Sequence, residues 1–185
     1  RSRGLGDVYK RQPITIRVSD FDRAAPHGTG HIKAGLNYAM SLHAIVDAHK
    51  NGFDENMYLD AATRTKVEET GGANFIFVTK DGTVVTPKSD SILPSITRRS
   101  ILQVARDYLG METEEREVYL DEVKDFAECG LCGTAAVISP VGALRYENEV
   151  MQIKDGGIGE FSQKLYDTVT GIQTGKVEDL SLIHI

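Results

Sequence analysis

Gly71-Gly72-Ala73-Asn74-Phe75-Ile76-Phe77-Val78-Thr79-Lys80-Asp81-Gly82-Thr83-Val84-Val85 is the stretch on which the fold turns. From Asn74 to Val78 the apolar residues run without alternation. A strand with one wet face alternates, so this one is expected to be buried on both faces, in the middle of a sheet. Gly71-Gly72-Ala73 makes a small-residue turn ahead of it. Lys80-Asp81-Gly82-Thr83 reads as a hairpin turn that returns the chain into Val84-Val85. A strand buried on both faces needs covering layers, and the flanking sequence offers helices to supply them.

Upstream, Ile14-Thr15-Ile16-Arg17-Val18 reads as a strand. A helix follows over about 36–49, ended by Asn51-Gly52. Tyr38, Leu42, Ile45 and Val46 fall at helical offsets and are expected to be its buried face. Met57-Tyr58-Leu59 and residues 66–70 read as short strands. Downstream, Ile101, Val104, Ala105, Tyr108 and Leu109 mark one face of the clearest helix, closed by Gly110. Glu117-Val118-Tyr119 is expected as a strand and 120–128 as a short acidic helix. Gly133-Thr134-Ala135-Ala136-Val137-Ile138 reads as a turn feeding a buried strand, with Leu144-Arg145-Tyr146 pairing back through Pro140-Val141-Gly142. A last helix, about 160–173, is expected to bury Phe161, Leu165, Val169 and Ile172. Alternating strands and helices place the chain in the α/β to α+β range, as a mixed sheet wrapped by helices.

The chain has 185 residues, the size of one domain. A net charge of −6 argues against a nucleic-acid partner. No apolar run reaches the length of a membrane span, and no secretory segment is visible. Two cysteines without a disulfide framework fit a reducing compartment, so a cytoplasmic location is expected. The ends read differently from the middle. Residues 1–12 are basic and aperiodic, and 180–185 are an abrupt apolar stop; both are expected to be assembly scars. The body, 13–179, starts as if in mid-fold, as a fragment without its front part would.

Chemistry-bearing residues gather at turns. Lys33 follows the glycine-broken loop Gly28-Thr29-Gly30-His31-Ile32 and stands at a helix entrance. Pointed inward, its amine would be partly desolvated and usable as a nucleophile; the plain alternative is a solvated lysine. Glu68-Glu69-Thr70-Gly71-Gly72 runs a carboxylate pair into a glycine turn, where Glu69 could also be an exposed acid. Ser95-Ile96-Thr97 opens a helix after Pro94, and Thr97 could simply be its cap. Gly133-Thr134 opens a buried strand, or is an ordinary turn. Together these supply what a pyridoxal phosphate site requires. An amine bonds the cofactor, a carboxylate meets its ring nitrogen, and hydroxyls with free N–H groups at a helix start hold its phosphate. Cys129-Gly130-Leu131-Cys132 has redox or metal spacing, but without a second cysteine pair structural thiols fit better. The histidines (His27, His31, His43, His49 and His184) are scattered, and no metal site is expected.

The strings HIKAGLNYAMSLHA, TKVEETGGANFIFV, ILPSITRRSIL, CGTAAVISPVG and TGIQTGKVED occur in the order found in the branched-chain amino acid aminotransferases, which this sequence closely resembles from about Pro13 to Asp179. These are pyridoxal phosphate enzymes of fold type IV. The resemblance implies a mixed-sheet pseudo-barrel flanked by helices, the family's larger C-terminal domain, with its smaller N-terminal domain missing. It implies that Lys33 bonds pyridoxal 5'-phosphate and shuttles the proton, that Tyr38 hydrogen-bonds the phenolic oxygen, and that Glu69 stands beside the ring nitrogen. Ile96, Thr97, Gly133 and Thr134 match the phosphate-binding residues. Ala135 matches a residue whose N–H receives the substrate carboxylate, and Arg23 is expected near the site. The implied reaction moves the amino group of leucine, isoleucine or valine to 2-oxoglutarate, in a homodimer or larger homo-oligomer. A D-amino acid transaminase, an aminodeoxychorismate lyase or an inactive fragment are the alternatives on the same fold.

Overall fold

The computed structural model describes residues 12–180. The expectations for 1–12 and 180–185 therefore lie outside the described residues, apart from Gln12 and Leu180.

The strand β3 (Asn74–Val78) is buried at every position. It pairs antiparallel with β4 (Val84–Pro87) through the 80–83 turn and with β6 (Glu128–Gly133) on its other side. Gly82 in that turn takes a φ of 90°, a left-handed value that glycine alone adopts without strain. β4 pairs in parallel with β5 (Thr113–Arg116). On the far side, β6 pairs with β7 (Val137–Tyr146), β7 with β1 (Ile14–Val18), and β1 with β2 (Glu55–Met57). β8 (Glu149–Gln152) also pairs with β7. The outcome is one mixed eight-stranded sheet in the order β2-β1-β7-β6-β3-β4-β5, with β8 beside β7.

Alternating side chains of β3 enter two cores. Phe75 and Phe77 stack 5.5 Å apart, and Phe77 stacks 4.7 Å from Phe126, within a core that also holds Ile16, Leu131 and Leu144. Ile76 faces the opposite core, where α2 (Ile96–Asp107) and α3 (Glu160–Gln173) lay Ile101, Ala105, Leu165 and Val169 against the sheet. Glu128 anchors α3. Its buried carboxylate accepts the N–H groups of Phe161 (3.1 Å) and Ser162 (2.8 Å) and the Ser162 hydroxyl (2.8 Å), replacing partners that a helix start lacks. Gly159 must be a glycine here, because a β-carbon would overlap that carboxylate.

Several elements differ from the sequence expectations. Leu144-Arg145-Tyr146 does not pair back through Pro140; it ends one continuous ten-residue strand, and β8 is what returns. Pro140 is tolerated because β7 changes partners there, pairing with β6 up to Pro140 and with β1 from Val141. Residues 120–128 are not one helix: Leu120–Asp125 is a 3-10 turn, and Glu128 already belongs to β6. Residues 66–70 and 117–119 make only isolated bridges, such as Leu59↔Val67 and Lys66↔Tyr119. The strand near the latter is β5, whose sequence Thr-Glu-Glu-Arg carries no apolar signal because it lies at a sheet edge.

The largest correction concerns α1 (Gly35–Lys50). It buries Asn37, Ser41, Ala44 and Ala48, not Tyr38, Leu42, Ile45 and Val46. Leu42 is 61% exposed, Val46 45% and Tyr38 41%. Small side chains let the helix approach closely, and polar bonds hold it: Arg17 donates to the Ala44 carbonyl (3.4 Å) and to Asp47 (2.6 Å). Replacing Leu42 with glutamine is therefore expected to change the unfolding free energy by less than about 0.5 kcal/mol in a urea titration. A buried leucine would cost several times more.

Candidate active site

The loop that carries Lys33 is fixed by its neighbours. The Asn37 side-chain amide, on the first turn of α1, donates to the carbonyls of Thr29 (2.8 Å) and Ile32 (2.9 Å). Gly30 is buried so tightly that a β-carbon would lie 2.8 Å from the Arg23 guanidinium and overlap the Ser91 carbonyl. Lys33 thus has a defined backbone position on the wall of a cavity of about 440 Å³. Its residue as a whole is exposed.

Glu69 lies at the opposite extreme, with only 5% of its surface exposed. Oε1 accepts from the Leu93 N–H (3.1 Å) and lies 3.0 Å from Arg23 Nη2; Oε2 accepts from Asn74 Nδ2 (2.7 Å). Burial pushes its carboxyl up to about 7, against the opposing pull of Arg23 and the Leu93 N–H. Its neighbour Glu68 is also buried and raised, and turns away to accept from Ser89 Oγ (2.7 Å).

An acid raised on folding binds its proton more tightly in the native state, so it adds stability below its unfolded value near 4.5 and loses it as pH rises through 7. Between about pH 4.5 and 8 the parent chain is expected to lose on the order of 3 kcal/mol relative to Glu69→Gln. Paired urea titrations across that range read the difference. Parallel pH profiles for the two proteins would contradict the burial of Glu69 as an ionisable group.

Two backbone segments border the same space, the start of α2 and the β6–β7 turn. Ser95 caps α2, its hydroxyl accepting from the Arg98 N–H at 3.2 Å, so the cap is Ser95 rather than Thr97. The next N–H groups, of Ile96 and Thr97, precede the intrahelical ladder and have no partner within it. Across the cavity lies the turn from Gly133 through Ala135 that joins β6 to β7. Val137, just after it, holds a φ of 59°, a costly conformation for a β-branched residue and the kind of strain that gathers at ligand turns.

Lys33, Tyr38 and Glu69 line this one cavity together with Ile96, Gly133, Thr134 and Ala135. Arg23 lines it too. Thr97 does not; it sits half-buried at the second helical position of α2. Asn37 and Asn74 were not singled out from sequence, and no local pattern marks them, since their partners lie in other loops. The Cys129 and Cys132 side chains sit on β6 in different cores, one with Phe77 and the other with Ile76. Burial pushes both thiols up, Cys132 to about 12, so neither has the depressed value of a reactive thiolate.

In comparison with known proteins, the chain is 46% identical over 172 residues to the branched-chain-amino-acid aminotransferase of Haemophilus influenzae, covering 90% of this chain and 50% of that protein. The solved branched-chain amino acid aminotransferase of Escherichia coli superposes with a TM-score of 0.82 at 33% identity, over 91% of this chain and 55% of that one. The enzyme of Thermobaculum terrenum in its PLP-form gives 0.82 at 31% identity, over 94% and 55%. The chain spans about half the length of the curated relatives it matches. The mixed sheet with its flanking helices is thus the architecture of fold type IV aminotransferases. Residues 5–144 match the family model for amino-transferase class IV, and with that match the order of elements and the lysine-lined cavity find one description: the chain belongs to the class IV aminotransferases.

Proposed function

We propose that this chain is the cofactor-binding part, over 13–179, of a branched-chain amino acid transaminase, moving the amino group of leucine, isoleucine or valine to 2-oxoglutarate. The observation that carries the reading is the convergence of Lys33, Glu69, the start of α2 and the Gly133–Ala135 turn on one cavity. Its volume suits a small cofactor with an amino acid. The donor set fits pyridoxal 5'-phosphate: an amine at Lys33, a phenol at Tyr38, a buried acid at Glu69, and N–H groups of Ile96, Thr97 and Thr134 for an anion. The turns Gly71-Gly72 and Gly133 put no side chains into the space between. A relative solved in its PLP-form supports the same assignment.

When bound, pyridoxal phosphate supplies an electron sink for the bond that breaks at the substrate's α-carbon. The chain's residues do the rest. The Lys33 amine would bond the cofactor and, when free, act as the base that takes the substrate's α-proton and delivers it to the cofactor's carbonyl-derived carbon rather than back to the α-carbon. Glu69, in its carboxylate form, would hold a proton on the ring nitrogen and so strengthen that sink. Tyr38 would orient the ring, and the α2 start and Thr134 would hold the phosphate. The Ala135 N–H would receive the substrate carboxylate. The protein is read as working in the cytoplasm as a homodimer or higher homo-oligomer. Leucine with 2-oxoglutarate is expected to give stoichiometric glutamate and the branched 2-oxo acid. Continued turnover, beyond one oxo acid per chain, with 2-oxoglutarate omitted would make the chain a lyase instead and overturn the reading.

A further inference from the structure

The acid of the cavity has one close cation, and it is buried. Arg23 Nη2 lies 3.0 Å from Glu69 Oε1, with both side chains 6% exposed. The same nitrogen faces the carbonyls of Gly30 (3.4 Å) and Ser91. Three segments therefore meet at one guanidinium: the loop that ends at Lys33, the Glu68–Glu69 pair, and the stretch leading into α2. Arg23 Nε is buried without a partner, so the side chain is held there against the cost of an unmade hydrogen bond.

The other groups around Glu69 cannot replace that charge. Asn74 and the Leu93 N–H are neutral donors. Glu68 is a like charge one residue away, directed at Ser89. Arg98 is occupied by the Pro87 carbonyl (3.0 Å) and Glu115 (3.4 Å). The Cys132 thiol is neutral, and Lys33 lies on the exposed wall. Burial by itself favours the protonated acid, and Arg23 is the largest influence opposing it.

We propose that Arg23 is a positioning residue that draws the buried Glu69 toward its carboxylate form at the cavity wall and ties that acid to the loop carrying Lys33. Its catalytic meaning rests on the cofactor reading above, because only an ionised Glu69 accepts a proton-bearing ring nitrogen. The test is made on the cofactor-free chain, by infrared titration of the protonated carboxyl band that Glu69→Gln removes. In Arg23→Gln, which keeps amide donors for the two carbonyls but loses the charge, the proton affinity of Glu69 is expected to rise roughly tenfold or more. Arg23→Lys, with the charge restored, is expected to stay nearer the parent. An unchanged midpoint in Arg23→Gln, or the same shift in both variants, overturns the proposal. The parent chain gives a second readout that needs no variant. Exchange of the Arg23 guanidinium protons, taken relative to the base-catalysed rate of free arginine at each pH, should be protected at pH 8 and lose that protection as Glu69 takes its proton; protection that does not change with pH also overturns it. Such failures would leave labelling of Lys33 by cofactor intact, whereas a loss of that labelling would sink the cofactor reading and leave this titration untouched.

Discussion

If the chain has the proposed transaminase activity, Lys33→Ala is expected to transaminate leucine at least about 10⁴-fold more slowly than its parent, the upper end of what one positioned acid–base group contributes, with loss of the nucleophile added. The effect follows from a division of labour in the cavity. On the proposed reading Ile96, Thr134 and Glu69 would still bind and orient the cofactor, but no other amine is among the residues that line the space. Binding of pyridoxal phosphate should therefore survive, weakened, while covalent attachment and proton transfer fail. The variant should still fold, because Lys33 is exposed and its backbone is set by Asn37 rather than by the amine. Retained full turnover would remove the mechanism.

The second large effect is on stability. Phe77→Ala is expected to cost about 3–5 kcal/mol, the range for emptying a fully buried aromatic site. Phe77 has no exposed surface and touches Phe75 on one side and Phe126 on the other, so neither neighbour can close the gap without leaving its own stack. It also holds β3 between β4 and β6, and that arrangement sets the Gly71-Gly72 turn opposite Gly133. A drop of that size in the urea midpoint at unchanged slope would mark it as a core loss. A cost near that of Leu42→Gln would mean that β3 is not central.

What could be read from the sequence and what could not divide along physical lines. Unbroken apolar runs and clean helical spacing are local signals, and they located β3, α2 and α3 well; α3 spans Glu160–Gln173 as its spacing predicts. Glu-Cys-Gly-Leu-Cys-Gly has few strand formers, and β6 exists because β3 and β7 flank it, which is a tertiary fact. The same holds for α1. Both of its stripes have helical spacing, and which one turns inward depends on what it packs against; here the small one does. Apolar count pointed to the wrong face. For the site, glycine turns near a lysine and an acid marked positions, but nothing local says that residues 33, 69, 96 and 134 share a cavity. That follows from the strand order, with the partners Asn37 and Asn74 supplied from loops that sequence alone leaves unconnected.

The measurement that bears most directly on the cavity is chemical. The chain is mixed with pyridoxal 5'-phosphate, reduced with borohydride, digested and mapped. A single tag on Lys33, lost when inorganic phosphate competes at high concentration or when Glu69 is replaced, is the predicted result. A tag spread over exposed lysines such as Lys50, Lys80 and Lys124, with Lys33 no more labelled than they are, would contradict it.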